Sequence, residues 1–132
     1  MYKSVIERIA FFMQEGGQTV PGFYHEFNVT EDEAREFVIR LQEEVDEAAA
    51  GVLHLSDAET VDAFLDAAYV AFTGAIRIAG VEKAQKCWEA IVRANESKVD
   101  GTFGVKVQDP ETGKILKPKG WKHPDIEGIL NG

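Results

Sequence analysis

Apolar residues recur through the first hundred positions at the three- and four-residue spacing of amphipathic helices. Val5, Ile6, Ile9, Ala10, Phe12 and Met13 form the first stripe, which Gly16-Gly17 ends, predicting a helix over about residues 2–15. Thr30, with Glu33 three residues later, reads as a capping box. The helix it opens carries Phe37, Leu41, Val45, Ala48 and Val52 on one side and should stop at about Gly51. Ser56 or Asp57 can cap a third helix running to about Gly80. A fourth, from about Val81 to Val99, aligns Val81, Ala84, Trp88, Ile91 and Val92. After Asp100-Gly101 the helical period ends. Val105–Gln108 and Lys114–Lys117 flank Asp109-Pro110-Glu111-Thr112-Gly113, a hairpin signal. The stretch from Lys117 to Asp125 reads as an extended arm. The expected fold is all-α: one domain over residues 1–132, a four-helix bundle over about 2–100 with a C-terminal hairpin and arm over about 101–132.

Two polar features interrupt this pattern. Glu44 falls between Leu41 and Ala48 on the apolar side of the second helix, and Glu47 lies one turn on from both Glu43 and Glu44. Like charges at this spacing repel, and more strongly when desolvated. A divalent cation bound by hard oxygens, Mg²⁺ or Mn²⁺, is the simplest resolution; a solvated glutamate-rich face is the other. The third helix is apolar nearly all round from Ala63 to Ile76, with Asp66 its only charge. Such a helix is either central to a bundle or part of a subunit interface, and it is short, with too central a charge, for a membrane span. A buried Asp66 needs a partner. Arg77 or Arg93 would serve as a salt bridge, but a metal shared with Glu43, Glu44 and Glu47 resolves both anomalies at once. Asn95 continues the stripe of the fourth helix with Lys98 one turn on; the pair either solvates the helix end or reaches the carboxylate pocket. The loop Gln18–Val29 holds Phe23, Tyr24, His25 and Phe27, which either plug the end of a core or stack on a base.

Composition narrows the chemistry. The net charge of −9 argues against non-specific nucleic-acid binding, yet leaves room for a nucleotide whose charge a metal carries. Acidic residues dominate between Glu31 and Asp66, and most lysines follow residue 97, an arrangement that suits a polyphosphate ligand or merely a soluble lysine-rich hairpin. Cys87 is the only cysteine, so neither an internal disulfide nor a cysteine zinc site is available. The N-terminal residues lack the apolar core of a secretory signal, and a cytoplasmic location is expected. The familiar phosphate loops, the nucleophile elbow and the Glu-x-x-His pair of di-iron bundles are absent, so histidine is not the expected catalyst.

Glu43-Glu44-x-x-Glu47, a lone Asp66 and Asn95-x-x-Lys98 resemble the all-α nucleoside triphosphate pyrophosphohydrolases, the superfamily of MazG-like proteins, phosphoribosyl-ATP pyrophosphohydrolases and dimeric dUTPases. The run from Asp62 through Asp66, Tyr69 and Gly74, then Gly80 and Asn95–Lys98, is most similar to the MazG-like branch related to phosphoribosyl-ATP pyrophosphohydrolase. The tail from Asp109 to Lys114 and through Trp121-x-x-Pro124-Asp125 resembles it too, extending the likeness over residues 10–126. One position departs: Ala63 stands where the common pattern has Glu, and Asp62 shares the Asp66 face instead. The resemblance implies a MazG-like bundle that hydrolyses a (deoxy)nucleoside triphosphate between its α and β phosphates. Glu43, Glu44, Glu47 and Asp66 would hold Mg²⁺, with Mn²⁺ as a substitute, and Glu43 or Glu44 would orient the attacking water. Lys98 would stabilise phosphate charge, Asn95 would contact phosphate or sugar, and Asp62 would stand by the metal or the substrate. Lys114, Lys117 and Lys119 would close over the ligand. It also implies a homodimer or homotetramer, with no nucleic-acid or membrane partner. The alternatives are phosphoribosyl-ATP hydrolysis and a helical interaction module without catalysis.

Overall fold

A computed structural model describes residues 3–132. Among the described residues the chain is mostly helical, with four helices and one small antiparallel sheet, as an all-α reading requires. It divides into two compact units, Met1–Ala84 and Gln85–Gly132. The division falls inside a helix, whereas the sequence changes character at about residue 100.

In the first unit, α1 (Val5–Glu15) is opened by Ser4. The Ser4 Oγ accepts from the Glu7 amide at 3.1 Å, and the Glu7 carboxylate reaches back to the Ser4 amide. This complete capping box sets the start of the helix. Tyr2, where the sequence pattern places that start, lies outside the described residues. Ile6, Ile9, Ala10 and Met13 are buried, as the stripe requires, while Val5 and Phe12 are exposed.

The second helix, α2 (Glu31–Leu53), begins at Thr30, whose Oγ1 accepts from the Glu33 amide at 3.1 Å. Its capping box is only half made. The Glu33 carboxylate pairs with Arg77 instead of returning to the cap. The helix also continues past Gly51 to Leu53. Gly51 is there for proximity: a Cβ on it would lie 2.7 Å from the Thr60 Oγ1 and 2.8 Å from the Thr60 amide nitrogen. Of its expected stripe only Ala48 is buried; Phe37 and Leu41 are half-buried, and Val45 and Val52 are exposed.

The expected third and fourth helices form one element, α3 (Asp57–Glu96), broken at Gly80, where φ is 77° and ψ 167°. Glycine suits that positive φ, and a Cβ there would lie 3.1 Å from the Pro21 carbonyl oxygen. Before the break, small residues admit the neighbouring helices. Ala63 is buried, a Cβ on Gly74 would meet the Phe37 side chain at 3.4 Å, and Tyr69 stands edge-on to Phe12 at 5.3 Å. One face, Thr73, Ile76, Arg77 and Ala79, is buried. Nearer the start of α3 the apolar side chains are open: Phe64 is 62% and Leu65 67% exposed, and Val61 is exposed with them. The segment is therefore not a central helix. Part of α3, with a mean hydropathy of 1.4, is long and apolar enough to cross a membrane by length and composition, a test that core and interface helices also pass.

The second unit contains the end of α3, strands β1 (Val107–Gln108) and β2 (Ile115–Leu116), and α4 (Ile126–Asn131). Val107 pairs with Leu116 and Gln108 with Ile115. The turn is held by Asp109, whose Oδ1 accepts from the Glu111 and Thr112 amides at 2.8 and 3.3 Å, while its own amide donates to the Lys114 carbonyl. The arm that follows is anchored by Trp121, whose Nε1 donates to the Ala94 carbonyl at 2.8 Å and to the Ser97 Oγ at 3.1 Å. The stretch expected to be extended ends at Asp125, and a helix the sequence reading did not place follows it. Asp125 accepts from the Gly128 amide at 2.9 Å and opens the six-residue α4, on which Ile126, Ile129 and Leu130 are half-buried.

Candidate functional site

Within the first unit, carboxylates from α2 and α3 act on one group, Glu44. It is half-buried, and its Oε2 is shut off from solvent without a hydrogen-bond partner among the described residues. Desolvation is the largest cause pushing the Glu44 pKa above the ordinary carboxyl value of 4.5. Glu47 comes next, through its charge and a hydrogen bond that two ionised carboxylates cannot form, and the charges of Asp66 and Asp62 add to it. Glu47, Asp66 and Asp62 are thus the carboxylates whose charges reach Glu44. Glu43, although adjacent in sequence, is exposed and is not among the groups that raise Glu44.

Asp66 departs from its expected environment. It is exposed, because the apolar residues around it are exposed too, so burial does not oblige it to find a partner. Nor is Arg77 its counter-ion. Arg77 is buried, bonds the Glu33 carboxylate through Nε and Nη2, and reaches the Asn28 side chain and, at 2.8 Å, the Asn28 carbonyl. Asn28 also donates to the Ile78 carbonyl at 2.9 Å, so the aromatic loop is tied to α3 through this amide. Phe23 and Phe27 stay exposed and plug no core. Sequence reasoning missed the Arg77–Glu33–Asn28 set; its only signal was an arginine closing an apolar run.

No arginine, lysine or histidine among the described residues pairs with Glu43, Glu44, Glu47, Asp62 or Asp66. Neither do any three Asp, Glu, His or Cys side chains among the described residues gather closely enough to enclose a metal. In kind, the residues still fit a hard divalent cation: an enclosed carboxylate oxygen lacking a donor, further carboxylates around it and no counter-ion.

In the second unit, the Lys98 Nζ donates to the Asn95 Oδ1 at 3.0 Å and lies 4.7 Å from the centre of the Trp121 ring. The Lys117 Nζ lies 5.4 Å from the same centre, and His123 meets the ring edge-on at 4.7 Å. Lys114, at the end of the hairpin turn, and Lys119 are exposed. Trp121, which sequence reading used only as a motif residue, is the centre of this cluster.

No protein-family model matches the chain, and no curated protein matches it significantly.

Proposed function

We propose that this chain is a MazG-like, Mg²⁺-dependent nucleotide pyrophosphohydrolase, cleaving a (deoxy)nucleoside triphosphate into a monophosphate and pyrophosphate. The observation that carries this reading is Glu44, an enclosed carboxylate oxygen without a donor, surrounded by Glu47, Asp66 and Asp62 and without a counter-ion. Glu44, Glu47 and Asp66 would hold the metal, with Glu43 brought in from the adjacent exposed position. Bound Mg²⁺ supplies neutralisation of phosphate oxygens and a more acidic water. Glu43 or Glu44 would orient a water and take its proton as its oxygen attacks the α-phosphorus and pyrophosphate leaves. Asp62 supports the metal side of the cluster. Lys98, assigned to the phosphates by the resemblance, belongs to the second unit, where Asn95 holds its ammonium. A homodimer or homotetramer accounts for the exposed apolar residues of α3.

The absence of a gathered three-carboxylate centre among the described residues favours a second reading, a helical module without catalysis. The deciding experiment measures pyrophosphate and monophosphate release from a panel of NTPs, dNTPs and phosphoribosyl-ATP with Mg²⁺ or Mn²⁺. The wild type should turn over at least one of them, with Glu44→Gln and Asp66→Asn each at least about a hundredfold slower. A folded wild type inert towards the whole panel would leave the helical module.

A further inference from the structure

The turn between α2 and α3 carries apolar side chains that no described residue covers. Helix α2 ends in a Schellman motif: the Ser56 amide donates to the Gly51 carbonyl at 3.0 Å and the Leu55 amide to the Val52 carbonyl at 3.1 Å. The left-handed position of that motif ordinarily takes glycine, because a Cβ is disfavoured at positive φ. Here it is Leu55, at φ 51°. Its side chain gains no burial in exchange, being 91% exposed. Leu53 is 82% exposed, and Val52 and Val61 are open as well. Val52, Leu55, Asp57, Thr60 and Val61 line a cavity of about 530 Å³. Leucine at this position therefore costs the fold twice, once in backbone conformation and once in exposed apolar surface.

The charge around this tip selects what covers it. From Leu41 to Ile76 the chain has eight acidic residues and no lysine or arginine. An anionic membrane or a nucleic acid would be repelled, and so would the same tip of a second copy. The complementary surface, apolar and cationic, lies on the chain's own hairpin and arm. Residues 105–122 hold five lysines against Asp109 and Glu111, and Val105, Val107 and Ile115 are exposed among them. We propose that the α2–α3 tip of one copy docks the hairpin segment, residues 105–116, of a second copy. Leu53, Leu55 and Val61 would meet its exposed apolar residues, and Lys106 the acidic charge around the tip. Each copy offers one tip and one hairpin, so the contact is head-to-tail and either closes into a ring or extends. It is separate from pairing through Phe64 and Leu65. It needs neither metal nor turnover, so failure of hydrolysis would leave it standing.

The test is sedimentation velocity on the full chain, with Leu65→Glu in every sample so that the exposed face of α3 does not contribute. This parent should assemble as its concentration rises, and less so as salt rises. Adding Leu53→Gln with Leu55→Asn, or Val105→Gln with Lys106→Glu, should each raise the concentration needed at least about tenfold. Arg8→Glu, a charge reversal elsewhere, should change nothing. A one-to-one mixture of the tip variant and the hairpin variant should form a pair that grows no further, because each supplies the surface the other lacks. Asparagine accepts positive φ, so Leu55→Asn alone should melt no lower than the parent, which separates loss of contact from loss of fold. A parent that stays monomeric up to about 100 μM would overturn the proposal and leave the tip to a basic segment of another protein. Undiminished assembly in either variant, or a mixture that forms no pair, would overturn it too.

Discussion

Glu44 shows how one residue links the stability of the protein to its chemistry. Its pKa is raised, so the native state holds this proton more tightly than the unfolded chain does. The stabilisation from that proton is complete below about pH 4.5, the unfolded value, and is lost as pH rises through the native one. Above its native pKa the ionised group therefore works against folding. Removing its charge should help: metal-free Glu44→Gln is expected to melt above the wild type at pH 7, with the gap closing as pH falls through the titration. Added Mg²⁺ should raise the melting temperature of the wild type at pH 7 and leave Glu44→Gln unmoved, as differential scanning fluorimetry would show. A Mg²⁺ response of equal size in the two proteins would remove Glu44 from the metal site. Arg77 teaches a different lesson. Its side chain is 9% exposed and that of Glu33 40%, so the pair is neither fully screened nor fully buried. Arg77→Gln strands Glu33 and the Asn28 carbonyl together, and urea denaturation should find a loss of about 1–3 kcal/mol.

At the scale of elements, two glycines decide how helices end and meet. Gly80 takes φ 77° where a Cβ would lie 3.1 Å from the Pro21 carbonyl oxygen. Gly80→Ala therefore combines backbone strain with a tight contact to main chain, which yields less readily than a side-chain tip. A loss of about 1–3 kcal/mol in denaturant unfolding is expected. Gly51 carries no such strain; its requirement is space, because a Cβ would lie 2.8 Å from the Thr60 amide nitrogen. Gly51→Ala would gain helix propensity worth about 1 kcal/mol but must push α2 from the start of α3, so a net loss is expected by the same assay. These elements were largely legible in the sequence. Gly80 marks the break the pattern placed there, and the hairpin strands fall inside their expected flanks, because glycine, proline and aspartate act through local backbone geometry. The extension of α2 to Leu53 was less legible, since Gly51 looked like a stop signal and is in fact a contact.

For the whole molecule, the exposed side of α3 makes the clearest demand. Phe64 and Leu65 are 62% and 67% exposed, and Val38, Ile39 and Val45 of α2 are exposed as well. Under the proposed function, a second copy would cover this apolar surface on a chain of net charge −9. Light scattering coupled to size exclusion should report a dimer or tetramer for the wild type, and Leu65→Glu should shift it towards the monomer with its circular dichroism unchanged. A monomeric wild type at micromolar concentration would count against self-association.

Local signals, by their nature, are written in consecutive residues. Period, caps and turn chemistry act over a few positions, so the helices, the hairpin and the candidate acidic residues could all be read from the chain. What the chain could not disclose is where each side chain ends up once distant segments meet. Glu43 and Glu44 are neighbours in sequence, yet Glu44 is enclosed and Glu43 exposed. Asp62, a secondary candidate by motif, bears on Glu44, while Arg77 goes to Glu33 and Asn28 rather than to Asp66. Lys98 and Lys117 share one indole although the hairpin intervenes between them in the chain. Burial and charge pairing depend on three-dimensional distance, and only the packed chain sets that distance.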